Sequence, residues 1–142
     1  MSAAPPPQET RPPASSWRAQ PVWIPICALD DILPETGVCA FIGNRQIALV
    51  RVGQGASVFA VDNFDPFSKA FVVSRGIVGD QDGVPKISSP IFKQSFNLIT
   101  GQCLDDPLVA LPTYPVRVQN GHVELLAELP EAGASPADER TA

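Results

Sequence analysis

Three cysteines, Cys27, Cys39 and Cys103, and a single histidine, His122, carry the softest ligand atoms in this 142-residue chain. Together they match the donor count of a tetrahedral zinc site. Their spacing argues against one: no C-x₂₋₄-C pair places two thiolates on one knuckle, and His122 stands next to Gly121 at a turn signal. Small buried thiols in strands and a turn-flanking histidine are the simpler reading. A nucleophilic triad would have to recruit the same His122, and no G-x-S-x-G elbow accompanies it. Neither G-x-G-x-x-G nor a P-loop is present, and "VGQGA" (Val52–Ala56) reads as a strand turn. Asp62, Asp65, Asp80, Asp82, Asp105 and Asp106 are acidic enough for a cation but lack the spacing of a calcium loop. They read as turn residues, since Asp bonds its own backbone. On residue types alone the chain has no catalytic constellation.

Composition narrows the classes further. A net charge of −5 and a pI near 4.7 leave no basic stripe for phosphates and no polybasic anchor for an anionic bilayer. No apolar run approaches the ~20 residues that span a membrane. Three widely spaced cysteines fit reduced thiols in the cytosol better than a secreted disulfide framework. The opening "MSAAPPPQETRPPASSWRAQP" has no apolar h-region and no twin arginine, so a cytoplasmic location without an export signal is expected.

The elements that must position any site are mostly strands. Residues 1–20, rich in Pro, Ala and Ser, and residues 131–142 lack the apolar content to offset ordering and are expected to be disordered tails. Between them, residues 21–130 form one domain, and roughly 110 residues suffice to bury a core without disulfides. "VWIPIC" (Val22–Cys27) is a short apolar run. "GVCAFI" (Gly37–Ile42) and "QIALVRV" (Gln46–Val52) flank Gly43-Asn44 as a hairpin, and "SVFAVD" (Ser57–Asp62) follows the Gly53–Gly55 break. The clearest signal is "YPVRVQNGHVELL", two alternating runs around Asn120-Gly121. "ALDDIL" (Ala28–Leu33) allows one helical turn before Pro34, and scattered prolines exclude long helices. The pattern predicts an all-β sandwich or barrel with little or no helix.

Several of these segments also carry a family resemblance. "FNLITGQCL" (Phe96–Leu104) and "ALPTYPVRVQNGHVEL" (Ala110–Leu125) resemble the F-D-L-x-T-G-x-C-L and P-x-Y-P-V-R-V-x-D-G segments of Rieske-like ferredoxins. That resemblance implies an antiparallel β-sandwich with two cluster-binding loops, over about Trp23 to Leu126. Where the family writes Cys-Pro-His, this chain has Asp65-Pro66-Phe67; in the second loop it has Ser89-Pro90-Ile91-Phe92. Both prolines remain, and the four ligand positions, Asp65, Phe67, Ser89 and Phe92, are all replaced. One branch, the small subunits of cytoplasmic NAD(P)H-dependent assimilatory nitrite reductases, resembles the chain over most of the core. Its D-N-x-D-P-F-S, S-R-G-I-V-G-D and G-x-P-K-x-x-S-P-x-x-K-Q-x-F-x-L-x-T-G motifs match Asp62–Ser68, Ser74–Asp80 and Gly83–Gly101.

The resemblance implies an accessory subunit with no active site, metal or cofactor of its own. Its implied partner is a large catalytic chain with siroheme, a 4Fe-4S cluster, FAD and NAD(P)H that reduces nitrite to ammonium. The loop tip is the candidate partner interface, with Phe67, Phe92, Lys93 and Gln94 as its residues. Lys69 departs from the branch, where small residues such as Gly are usual. Two alternatives stand beside this reading. One is a Rieske ferredoxin-type electron carrier, which needs two histidine ligands where the chain has only His122. The other is a non-catalytic Rieske-like interaction module serving another oxidoreductase.

Overall fold

The computed structural model describes residues 21–128, so the expected tails at residues 1–20 and 131–142 lie outside the described residues. Its architecture follows from one strand, β3 (Arg45–Val52), in which Ile47 to Arg51 are all buried. A strand buried on both faces must lie between two layers, because successive side chains point to opposite sides. Ile47 and Leu49 join Val123 and Leu125 in one apolar cluster, while Ala48 and Val50 join Ile87 and Phe96 in another. β4 (Ser57–Asp62) divides in the same way, Ala60 to the first cluster and Val61 to the second.

The middle layer is an antiparallel sheet in the order β10 (Thr113–Tyr114), β4, β3, β2 (Thr36–Ile42). On one side lies the sheet of β1 (Pro21–Ala28), β12 (His122–Glu128) and β11 (Val116–Gln119). On the other lies the sheet of β7 (Ile77–Gln81), β8 (Val84–Ser88) and β9 (Ser95–Asn97). A separate two-stranded ribbon pairs β5 (Phe64–Asp65) with β6 (Ala70–Phe71). Among the described residues two 3₁₀ turns interrupt the strands, at Leu29–Asp31 and Val73–Arg75. The first is the short turn expected before Pro34.

The hairpins across Gly43-Asn44 and Asn120-Gly121 form as the sequence predicts, in register Ile42 with Arg45 and Gln119 with His122. A third, β7 to β8 across Asp82-Gly83, was not anticipated. Both turn residues have positive φ, 54° and 85°, the primed geometry that Asp-Gly adopts readily. Gly79 and Pro85 dilute the alternation on either side, which hides the strands but not the turn. β1 is an edge strand, and its Pro21 and Pro25 are tolerated there because the edge needs no further donors. Its register slips between Pro25 and Cys27.

Arg51 is one of two charged side chains buried among the described residues, Asp65 being the other. Arg51 donates to the carbonyls of Ile32 (2.8 Å), Gly55 (2.9 Å) and Gln54 (3.1 Å). It thereby fastens the Leu29–Asp31 turn and the β3–β4 turn to the middle sheet.

Candidate functional site

The two loops that the resemblance aligns with a cluster-binding pair are five-residue turns of one design: Asp65-Pro66-Phe67-Ser68-Lys69 and Ser89-Pro90-Ile91-Phe92-Lys93. In each, the fifth residue's N–H donates to the first residue's carbonyl, at 2.7 Å from Lys69 and 3.1 Å from Lys93. Proline at the second position presets φ and removes a donor that the turn does not use. The first side chain accepts from the third residue's N–H: Phe67 N to Asp65 Oδ1 at 2.9 Å, Ile91 N to Ser89 Oγ at 3.3 Å. Each turn ends on a lysine in the left-handed region, φ 61° at Lys69 and 68° at Lys93. That is the conformation glycine takes without penalty, which explains why a small residue suits position 69.

The turns are joined by their first residues. Ser89 Oγ donates to Asp65 Oδ2 at 2.5 Å, and Ser68 Oγ donates to the same oxygen at 2.8 Å. Asp65 is 0% and Ser89 1% exposed, so this is an interior contact. Asp65 is therefore no solvated turn residue, and two of the four replacements are polar rather than apolar packing substitutes. Burial alone would push the Asp65 carboxyl up. The Ser89 hydroxyl, the Phe67 N–H and Ser68 together outweigh it and hold the group below its ordinary range.

Buried anchors hold each turn in place. Asn63, at the head of the first loop, donates through Nδ2 to Gln46 Oε1 (3.2 Å) and accepts the Ser74 N–H through Oδ1 (2.7 Å). Its own N–H bonds the Gln46 carbonyl at 2.9 Å. Behind the second loop, Ser88 and Ser95 hydroxyls meet at 2.7 Å and the Asp105 carboxylate accepts the Ser95 N–H at 2.8 Å. Gly76 lets the chain after the first loop lie against the second, since a Cβ there would sit 2.3 Å from the Ser88 carbonyl.

The two phenylalanines that the resemblance aligns with ligand positions go separate ways. Phe67 turns inward and packs on the core, its ring centroid 6.2 Å from that of Phe96. Phe92 turns outward, 57% exposed, beside exposed Ile91 and Lys93. Gln94 is half-buried, and its Oε1 has no hydrogen-bond partner. A ring that sequence reasoning missed, Phe71, is 52% exposed on β6 and stacks edge-on against Phe64 at 5.0 Å. The matched spelling of the two turns, D-P-F-S-K and S-P-I-F-K, was the available signal for their common geometry.

A [2Fe–2S] cluster does not fit this donor set. Phenylalanine rings offer iron no lone pair, and the carboxylate and hydroxyl at the other two positions are spent on each other. The remaining candidate ligands lie apart: Cys103 is buried in the core, Cys27 and Cys39 are half-buried in β1 and β2, and all three are free thiols. Burial raises the Cys27 and Cys39 pKa values, with Asp31 adding to the effect at Cys27. His122 is exposed in the terminal hairpin, its Nδ1 3.2 Å from the Asn120 carbonyl. Among the described residues no three His, Cys, Asp or Glu side chains gather as a metal site.

Residues 22–126 match the family described as Rieske-like [2Fe-2S] domain. The chain is 44% identical over 103 residues to the nitrite reductase (NADH) small subunit of Escherichia coli K12, covering 72% of this chain and 95% of that one. It is 45% identical over 101 residues to part of the nitrite reductase [NAD(P)H] large subunit of Klebsiella oxytoca, 71% of this chain but 10% of that one. A crystal structure from Mycobacterium tuberculosis, described as an NADH-dependent nitrite reductase small subunit, superposes with a TM-score of 0.70 at 47% identity. That match covers 75% of this chain and 95% of the other.

Proposed function

Because the chain belongs to the Rieske-like [2Fe-2S] domain family, we propose that it is the small subunit of a cytoplasmic NAD(P)H-dependent nitrite reductase, an accessory chain with no cluster of its own. The observation that carries this reading is the 44% identity across 95% of a small subunit of that enzyme. The Klebsiella large subunit supports the partner assignment, since a domain like this one lies within its single chain. In the reading proposed here, nicotinamide oxidation and nitrite reduction take place on the large chain, with FAD, a 4Fe-4S cluster and siroheme, and the small subunit completes the assembly. The electron-carrier alternative finds no support in a donor set of Asp65, Ser89 and two phenylalanines.

The contact surface we assign is the tip of the two turns. Phe92, Ile91 and Phe71 provide exposed apolar area, and Lys93 and Gln94 flank it. Interface centres are typically aromatic within a polar rim. Phe67 belongs under this surface rather than on it. Co-expression with the large chain, affinity capture and assay of NAD(P)H-dependent nitrite reduction test the assignment. Phe92→Ser is expected to reduce capture about tenfold or more while leaving the melting temperature of the free small subunit nearly unchanged. Phe67→Ser is expected to lower that melting temperature, because it removes a ring packed on Phe96. Full capture of Phe92→Ser would place the interface elsewhere.

A further inference from the structure

The tip has a charge opposite to that of the rest of the chain. From Asn63 to Gly76 and from Ile87 to Asn97, the charged residues are Lys69, Arg75, Lys93 and Asp65. Asp65 is fully buried in the joint between the turns, whereas the three cations are exposed. Asp105, behind the second loop, is tied to the Ser95 N–H. The whole chain nevertheless carries a net charge of −5. Among the described residues the single ion pair is Arg117–Glu124, so none of the three tip cations has a carboxylate partner.

Two of those cations occupy costly positions. Lys69 and Lys93 take the same place in the two turns, each with positive φ. A non-glycine residue there is destabilising by about 1 kcal/mol. Folding would be served as well or better by glycine, and among the described residues no ion pair of either ammonium offsets the strain. Three of the ten basic residues therefore lie, exposed and without an ion pair among the described residues, on the two loop segments that also expose Phe71, Ile91 and Phe92.

We propose that Lys69 and Lys93, with Arg75, form a cationic rim that docks the tip onto an acidic face of the large subunit. This rests on the small-subunit reading above, and it adds the chemistry of the partner surface: carboxylates around an apolar centre. Opposite charge at the rim orients the two chains as they meet, while the rings hold them afterwards. An acidic small subunit with a uniformly acidic tip would be repelled by such a face; a local cationic cap removes that repulsion.

The positive φ values provide a clean test, because Lys69→Gly and Lys93→Gly remove the charges at positions whose backbone suits glycine. Binding of purified large subunit to the full small subunit is measured across a sodium chloride series, with thermal melts confirming that each variant is folded. Native association should weaken steeply with salt. The double glycine variant should bind roughly tenfold more weakly at low salt with a flatter salt dependence, and Lys69→Arg with Lys93→Arg should restore native behaviour. If the glycine variant binds like the native chain while Phe92→Ser does not, the cationic rim is refuted and the tip interface stands. If neither variant weakens binding, the rim proposal falls together with the tip assignment.

Discussion

At the scale of single residues, Asp65 decides most about the loop pair. Its carboxylate receives three donors, from Ser89, Ser68 and Phe67, in an interior that would otherwise disfavour charge. Replacing it by alanine strands those donors, and an unpaired buried polar group costs about 1–3 kcal/mol. A loss of about 2–4 kcal/mol in urea unfolding is expected for Asp65→Ala. The pH dependence has a definite sign. A carboxyl held below its ordinary pKa in the folded state stabilises fully above the unfolded pKa, about 4, and loses that contribution as pH falls through the folded value. The stability gap between the native chain and Asp65→Asn should therefore be largest near pH 7 and shrink below about pH 4. Asp62 works against this trend. Burial raises its pKa despite hydrogen bonds from the Phe64 backbone and Tyr114, so its protonation in mild acid relieves a cost. A gap that stayed constant down to pH 2.5 would mean that Asp65 is not ionised in the fold.

At the scale of elements, turn chemistry made much of the fold readable and close packing hid the rest. Asn120-Gly121 and Gly43-Asn44 announce their hairpins because the flanking runs alternate. Asp82-Gly83 carries an equally good turn signal, but Gly79 and Pro85 break the pattern of β7 and β8, and the strands go unseen. The two loops were located through the family resemblance of their motifs; their joining was not, because a hydrogen bond between residues 65 and 89 leaves no local trace. The inward turn of Phe67 and outward turn of Phe92 were likewise illegible, since the contact that draws Phe67 inward is with Phe96, which is distant in the sequence. Gly76 belongs to the same class of hidden constraint. Its neighbour is the Ser88 carbonyl, twelve residues on, and a methyl group at 2.3 Å would force the second loop outward. Gly76→Ala should cost roughly 1–3 kcal/mol, seen as a melting point lower by some 5–20 °C for a domain of this size. An unchanged melting point would show that the 3₁₀ turn at Val73–Arg75 can slide away from β8 without penalty.

At the scale of the whole molecule, the question is what this chain's own residues contribute to holding together two loops that a Rieske-like fold can bridge with a cluster. A bridging metal centre links distant segments and contributes directly to folding. Here the link is made twice over by other means. The loops meet through the Asp65–Ser89 bond, and they are seated on an apolar cluster that runs from Val50 and Val61 through Phe96 to Leu111, with Phe67 packed against it. The opposite face of the middle sheet is closed independently by Ile47, Leu49, Val123 and Leu125. Neither layer contains a residue that needs iron in order to pack. The free chain should therefore unfold cooperatively, with a melting temperature unaffected by strong chelators. Anaerobic incubation with iron and sulfide should give no stoichiometric [2Fe–2S] absorption or electron paramagnetic resonance signal after desalting. Asp65→Ala should melt earlier than the native chain and remain equally indifferent to chelator, because its defect is an unpaired hydrogen-bond network and not a lost ligand. A chelator-induced drop in the native melting temperature would instead assign the loop joint to a metal, with Asp65 as the ligand to examine first.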